Sequence, residues 1–127
     1  MAKHNETGKW GEEMACEFLI RAGYAIVERN WHLPPYEVDI VATKGGRIAF
    51  CEVKTRTDKT INPAEAITPK KISALARAAH VYMLAYDVKL EPQFDVITVS
   101  GIPGDFIVEH IPDAFLPPLR TYKYESI

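Results

Sequence analysis

Two adjacent glycines, Gly45 and Gly46, constrain this chain more than any other feature, because runs rich in β-branched and aromatic residues flank them on both sides. Tyr36 to Lys44 precedes them and Arg47 to Arg56 follows. Glycine reaches positive φ without a steric penalty, so the segment predicts a β-hairpin closed by a two-residue turn. So short a turn sets the register. With Lys44 opposite Arg47, Asp39 falls opposite Glu52 and Glu37 opposite Lys54. The two-residue period of a strand then puts all four side chains on one face.

Two carboxylates directly opposed across a strand pair repel. Such a face protonates one of them, takes up a cation, or leaves both in water. Two alternatives follow. One is a solvent-exposed face carrying an ion pair between Glu37 and Lys54. The other is a divalent-cation site, since hard oxygen ligands suit Mg²⁺ or Mn²⁺. There the Lys54 ammonium, two residues along the strand from Glu52, could orient or polarise a water beside the metal.

Before the hairpin, residues 6–22 predict an amphipathic helix. Trp10, Met14, Phe18 and Ala22 recur at steps of four, Ala15 and Leu19 widen the stripe, and Gly23 stands as a C-cap. Lys9, Glu13, Glu17 and Arg21 share the opposite, solvated face. Glu12 lies at the margin of the apolar stripe, where a carboxylate needs a partner. It is either a peripheral acid reaching water or an arginine, or a third acid aimed at the hairpin. Residues 24–31 alternate as a half-buried strand, and His32-Leu33-Pro34-Pro35 reads as the connecting loop.

Beyond the hairpin, Thr57 to Asn62 is polar and aperiodic and predicts a surface loop. Thr68-Pro69 supplies an N-cap and a first-turn proline for a second helix, whose buried face carries Ile72, Leu75, Ala76, Ala79, Tyr82, Met83 and Tyr86. Lys70 and Lys71 sit near its start, where they oppose the helix dipole; phosphate contact and an ordinary solvated face both account for them. Phe94–Val99 and Phe106–Ile111 predict two further strands joined by Gly101-Ile102-Pro103-Gly104. The four histidines are dispersed and show no metal or triad spacing.

Asp39, twelve intervening residues and then Glu52-Val53-Lys54 resemble the Asp…Glu-X-Lys signature of restriction-endonuclease-like nucleases. A wider set of residues resembles the YraN-like family of endonuclease-like bacterial proteins, over roughly residues 5 to 115. These are Gly8, Gly11-Glu12, Gly23-Tyr24, Arg29-Asn30, Glu37-Val38-Asp39-Ile40, Glu52-Val53-Lys54-Thr55-Arg56, Pro63-Ala64-Glu65-Ala66, Lys70, Lys71 and Phe94-Asp95-Val96. That family is similar in layout to archaeal-type Holliday junction resolvases. Two departures occur: Val38 stands where the nuclease signature often has proline, and Tyr36 where the family commonly has glycine. Neither removes a ligand.

The resemblance implies an α/β fold with a restriction-endonuclease-like core, a central mixed sheet of about five strands flanked by helices. It also implies a metal-dependent nuclease acting on DNA, branched or damaged DNA included. Asp39 and Glu52 would hold Mg²⁺ or Mn²⁺ with the backbone carbonyl of Val53. Glu12 would bind the metal directly or through water, and Lys54 would position or activate the attacking water. Glu37 plays a supporting part, tuning Lys54 or neutralising it. Two other functions stay open on the residues: a nucleic-acid-binding module that cleaves nothing, and an adaptor domain using Val81, Leu84 and the aromatic tail as an interface.

Composition bounds these alternatives. At 127 residues and 47% hydrophobic, the chain fits one domain over residues 1–127, with 112–127 as a proline- and aromatic-bearing tail that could wrap the domain or pack on a second copy in a homodimer. There is no apolar run of signal-peptide or membrane-spanning length, which predicts a cytoplasmic protein with no membrane partner. Cys16 and Cys51 lie among apolar neighbours and read as reduced core residues. The net charge of −2 gives no global attraction to a polyanion, so DNA must meet a local patch. Lys54, Arg56, Lys59, Lys70, Lys71 and Arg77, set against Glu52, Asp58 and Glu65, supply one.

Overall fold

The computed structural model describes residues 6–60, 62 and 67–116. Helix α1 (Glu6–Arg21) leads into strand β1 (Ala25–Leu33), β2 (Tyr36–Lys44) and β3 (Arg47–Arg56); α2 (Pro69–Ala85) follows, then β4 (Glu91–Ile102) and β5 (Asp105–Ile111). The strands form one sheet in the order β1-β2-β3-β4-β5. Every neighbouring pair is antiparallel except β3 and β4. A parallel pair requires a crossover, and α2 provides it. This is the expected mixed α/β sheet with helices on both faces, consistent with a restriction-endonuclease-like core.

Local chemistry explains the boundaries. Gly23, at φ 97°, ends α1 at Arg21, one residue earlier than the apolar stripe suggests, and the Tyr24 amide closes back on the Leu19 carbonyl at 2.9 Å. Gly45 and Gly46 have φ of 57° and 80°, as a tight hairpin turn demands. The β2–β3 ladder then runs from Lys44 opposite Arg47 to Ile40 opposite Cys51, in the register counted from the sequence. Residues 32–35 differ from expectation. β1 continues through His32 and Leu33, which pair with Glu37 and Tyr36, so the two prolines form a tight turn and not a longer loop. A turn suits them because no ladder hydrogen bond is asked of their nitrogens.

Two apolar layers hold the sheet. Under α2, Leu75, Ala76, Ala79 and Tyr82 pack on Trp31, Val38, Val41, Phe50 and Phe94. Under α1, Ala15, Cys16 and Leu19 pack on Ile40, Ala42, Cys51, Ile97 and Val99. Thr68 caps α2 by accepting the Lys71 amide at 3.2 Å, with Pro69 in the first turn. Among the described residues, no helix is long and apolar enough to cross a membrane. The Pro63-Ala64-Glu65-Ala66 segment, His4 and the tail from Pro117 onward lie outside the described residues.

Candidate functional site

The alternation of β2 breaks where the site begins. Val38 and Val41, three residues apart, both pack under α2, while Ile40 packs under α1. A strict two-residue period cannot do this, and since Ile40, Val41 and Ala42 alternate normally, the irregularity falls between Val38 and Ile40, at Asp39. The described β2–β3 ladder also ends at Ile40 opposite Cys51. Asp39 and Glu52 are therefore not a regular cross-strand pair. Instead Asp39 Oδ2 accepts the backbone N–H of Val53 at 2.8 Å, its side chain replacing the strand that has moved away. Within a strand, the N–H and C=O of one residue project toward the same neighbour, so the Val53 carbonyl also opens toward the gap beside Asp39.

The separation of β2 from β3 leaves a cleft of about 350 Å³. Glu12, Glu37, Asp39, Glu52, Val53, Lys54 and Lys71 all line it, together with Thr7, Gly8 and Thr55. Glu12 reaches it because Gly11 lets α1 lie tightly on β3: a Cβ at Gly11 would collide with the Thr55 side chain. Glu12 is itself buried. The Asp39 carboxyl is raised to about 7, first by burial and next by the neighbouring Glu52 charge, against the Val53 N–H, which pulls it down; Glu12 and Glu37 push it further up. A cation in the cleft would relieve that repulsion.

Lysines complete the cleft. Burial lowers the Lys54 ammonium, and Lys71 beside it lowers it further. Lys71 is raised: burial opposes this, but Lys54 and Glu52 outweigh it. The Lys71 Nζ lies 3.2 Å from Glu52 Oε2, with its side chain 44% exposed. A pair so accessible to water stabilises the fold by at most about 1 kcal/mol. Glu37 pairs with His32 at 2.9 Å, an interaction the sequence did not suggest.

All four proposed chemical residues, Glu12, Asp39, Glu52 and Lys54, thus border one cleft. They do not form a closed cage: among the described residues, no three His, Cys, Asp or Glu side chains converge tightly enough to hold a metal by themselves. The donor set still fits a hard divalent ion. Mg²⁺ keeps several waters and commonly takes only one or two carboxylates from the protein.

Of the other predicted cations, Lys71 enters the cleft, and Arg56 follows Lys54 two residues along β3, on the same face by strand alternation. Lys70 and Arg77 are exposed on α2. Lys59 is paired with Asp105 at 2.7 Å. Sequence reasoning missed a second polar centre on the α1 side. There the fully buried Asp95 meets His110 Nε2 at 2.7 Å, the Gln93 amide at 2.9 Å and the Asp113 N–H at 3.0 Å. A lone acid inside the apolar run of β4 was the available signal.

Fold and cleft together define a mixed α/β protein with a restriction-endonuclease-like core and an acid-lined opening between its central strands. The chain belongs to the family described as Uncharacterised protein family UPF0102, whose family model matches residues 11–99. It is 45% identical over 120 residues to a UPF0102 protein of Bacteroides fragilis, covering 94% of this chain and 99% of that one. A UPF0102 protein of Phocaeicola vulgatus is 44% identical with the same coverage. One from Flavobacterium psychrophilum is 40% identical over 116 residues, covering 91% and 98%. These names carry no activity.

Proposed function

We propose that the protein is a metal-dependent endonuclease hydrolysing phosphodiester bonds in DNA, branched or damaged DNA among its substrates. One observation supports this most: Asp39 and Glu52 border a single cleft with Lys54 and Lys71, and their mutual repulsion helps raise the Asp39 carboxyl to about 7. Asp39, Glu52 and the Val53 carbonyl would hold Mg²⁺ or Mn²⁺, with Glu12 joining directly or through water. The bound ion supplies Lewis-acid polarisation of a phosphoryl oxygen and neutralises charge.

The chain's own groups do the rest. Lys54, its ammonium depressed by burial and by Lys71, orients the attacking water at Nζ and meets charge developing on the phosphate. Glu37 lines the cleft and pairs with His32. Arg56, Lys70, Lys71 and Arg77 offer cations to the backbone flanking the scissile bond, with Lys59 available once it leaves Asp105.

A cleavage screen over linear, nicked, flap and four-way DNA with Mg²⁺ or Mn²⁺, run beside Glu52→Ala, tests this. Metal-dependent cleavage that Glu52→Ala abolishes is the expected result. Binding without cleavage on every substrate would instead make the protein a nucleic-acid-binding module.

A further inference from the structure

Neither a phosphate contact nor an ordinary solvated helix face, the two sequence-based alternatives for Lys71, anticipates its place in the acidic cleft, 3.2 Å from Glu52 Oε2. Its position is set from the backbone: its own amide is the one that Thr68 caps, which fixes the first turn of α2 over the β3 carboxylate. The cleft is lined by four carboxylates, Glu12, Glu37, Asp39 and Glu52, and by two ammonium groups, Lys54 and Lys71. Lys54 belongs to β3 itself, whereas Lys71 arrives from another element on a long, partly exposed side chain.

We propose that Lys71 is the site's built-in rival to the divalent ion. In the metal-free protein its ammonium occupies the cation position on Glu52, and metal loading must expel it toward solvent, where it becomes free to meet a substrate phosphate. The physical case is one of charge. A dication on Glu52 would face Lys71 at ion-pair distance and repel it. The move is cheap, because a half-exposed ion pair is weakly held and the lysine stem has many rotamers. Metal loading and release of a phosphate-seeking cation are thereby one event. The inference rests on the metal site proposed above.

Calorimetric titration of Mn²⁺ into the full chain tests it without any turnover. Lys71→Met keeps the stem and removes the charge; Lys71→Arg keeps the charge. Lys89→Met is the control, since Lys89 pairs with Asp87 ahead of β4, at the opposite end of the sheet. Circular dichroism melts establish that each variant folds. Lys71→Met should bind Mn²⁺ at least about threefold more tightly than the wild type, while Lys71→Arg and Lys89→Met stay near it. Equal or weaker binding by a folded Lys71→Met overturns the proposal. No heat from either the wild type or Lys71→Met overturns it together with the metal site. Tighter Mn²⁺ binding by Lys71→Met in a protein that cuts no DNA upholds the lysine's role and removes only the nuclease assignment.

Discussion

The Val53 N–H donates to Asp39 Oδ2 at 2.8 Å at the point where β2 leaves β3. This side-chain bond stands in for a missing ladder bond, and it anchors a carboxyl that burial and Glu52 would otherwise disfavour. Structure and chemistry therefore make opposite demands on Asp39: the Val53 N–H favours the charged form, the surroundings favour the neutral one.

The pH dependence of stability follows. A folded-state value of about 7 lies above the ordinary carboxylate range, so folded protein binds the Asp39 proton more tightly than unfolded chain does. Its contribution is fully present below about pH 4 and is lost as pH rises to about 7, beyond which the penalty is constant. Asp39→Asn retains an oxygen to accept the Val53 N–H and cannot ionise. In metal-free urea denaturation it should be more stable than wild type at pH 8 by about 1 to 3 kcal/mol, with the gap closing near pH 4. A gap independent of pH would show that Asp39 does not titrate in this window.

Millimolar Mg²⁺ or Mn²⁺ should raise the wild-type melting temperature at pH 8, because binding to the folded state alone stabilises it. Asp39→Asn should lose most of that response while keeping its own higher baseline. A melting curve unmoved by either ion up to roughly ten millimolar would mean that the free protein has no site even of millimolar affinity.

Gly11 makes a separate prediction. A methyl group there meets the Thr55 side chain within α1's contact with β3. Gly11→Ala should cost about 1 to 3 kcal/mol despite alanine's better helix propensity. Thr55→Ala, which removes both the hydroxyl and the methyl that the new Cβ would meet, should restore part of it in a double-mutant cycle. Additive effects would place the damage elsewhere.

The turn glycines made the sheet's centre legible, since a two-residue turn leaves one register, and that register holds from Lys44 and Arg47 to Ile40 and Cys51. It failed at the next pair because nothing in Glu37-Val38-Asp39-Ile40 announces that Val38 and Val41 will share a layer. The cleft arises from that failure. Residue type and spacing identified Asp39, Glu52 and Lys54, but the partner of Glu52, Lys71, came from a helix, nineteen positions on, through a tertiary approach that local periodicity does not encode. His110 was passed over for the same reason: its partner Asp95 lies on another strand, in a register set only once β4 and β5 pair.

DNA affinity, where present, should fall steeply with salt and trace to a local patch, given a net charge of −2. Lys70→Ala and Arg56→Ala should each lower the salt slope by about one. Lys59→Ala should matter less, because DNA must first draw Lys59 away from Asp105. Filter binding or anisotropy across a salt series measures this. Equal effects of all three would argue against that ranking, and salt-insensitive binding would remove the patch altogether.

The buried Asp95 centre should govern stability and leave the cleft alone. Asp95 has no exposed surface and accepts from His110, Gln93 and the Asp113 backbone. It thereby ties the segment after β5 to the sheet, where Arg47 also holds Asp113 at 2.7 and 2.9 Å and the Ala114 N–H meets the Phe94 carbonyl at 2.8 Å. Asp95→Ala strands three polar partners and opens a void, so it should cost about 3 to 5 kcal/mol in urea denaturation. Asp95→Asn, which preserves shape and one acceptor, should cost less. Asp113→Ala breaks a water-exposed pair with Arg47 and should cost far less than Asp95→Ala. Asp95 stacks with the layer under α1 while Glu52 faces the cleft, so folded Asp95→Asn should bind Mn²⁺ as the wild type does. A drop in Mn²⁺ affinity without loss of stability would make Asp95 part of the metal site instead.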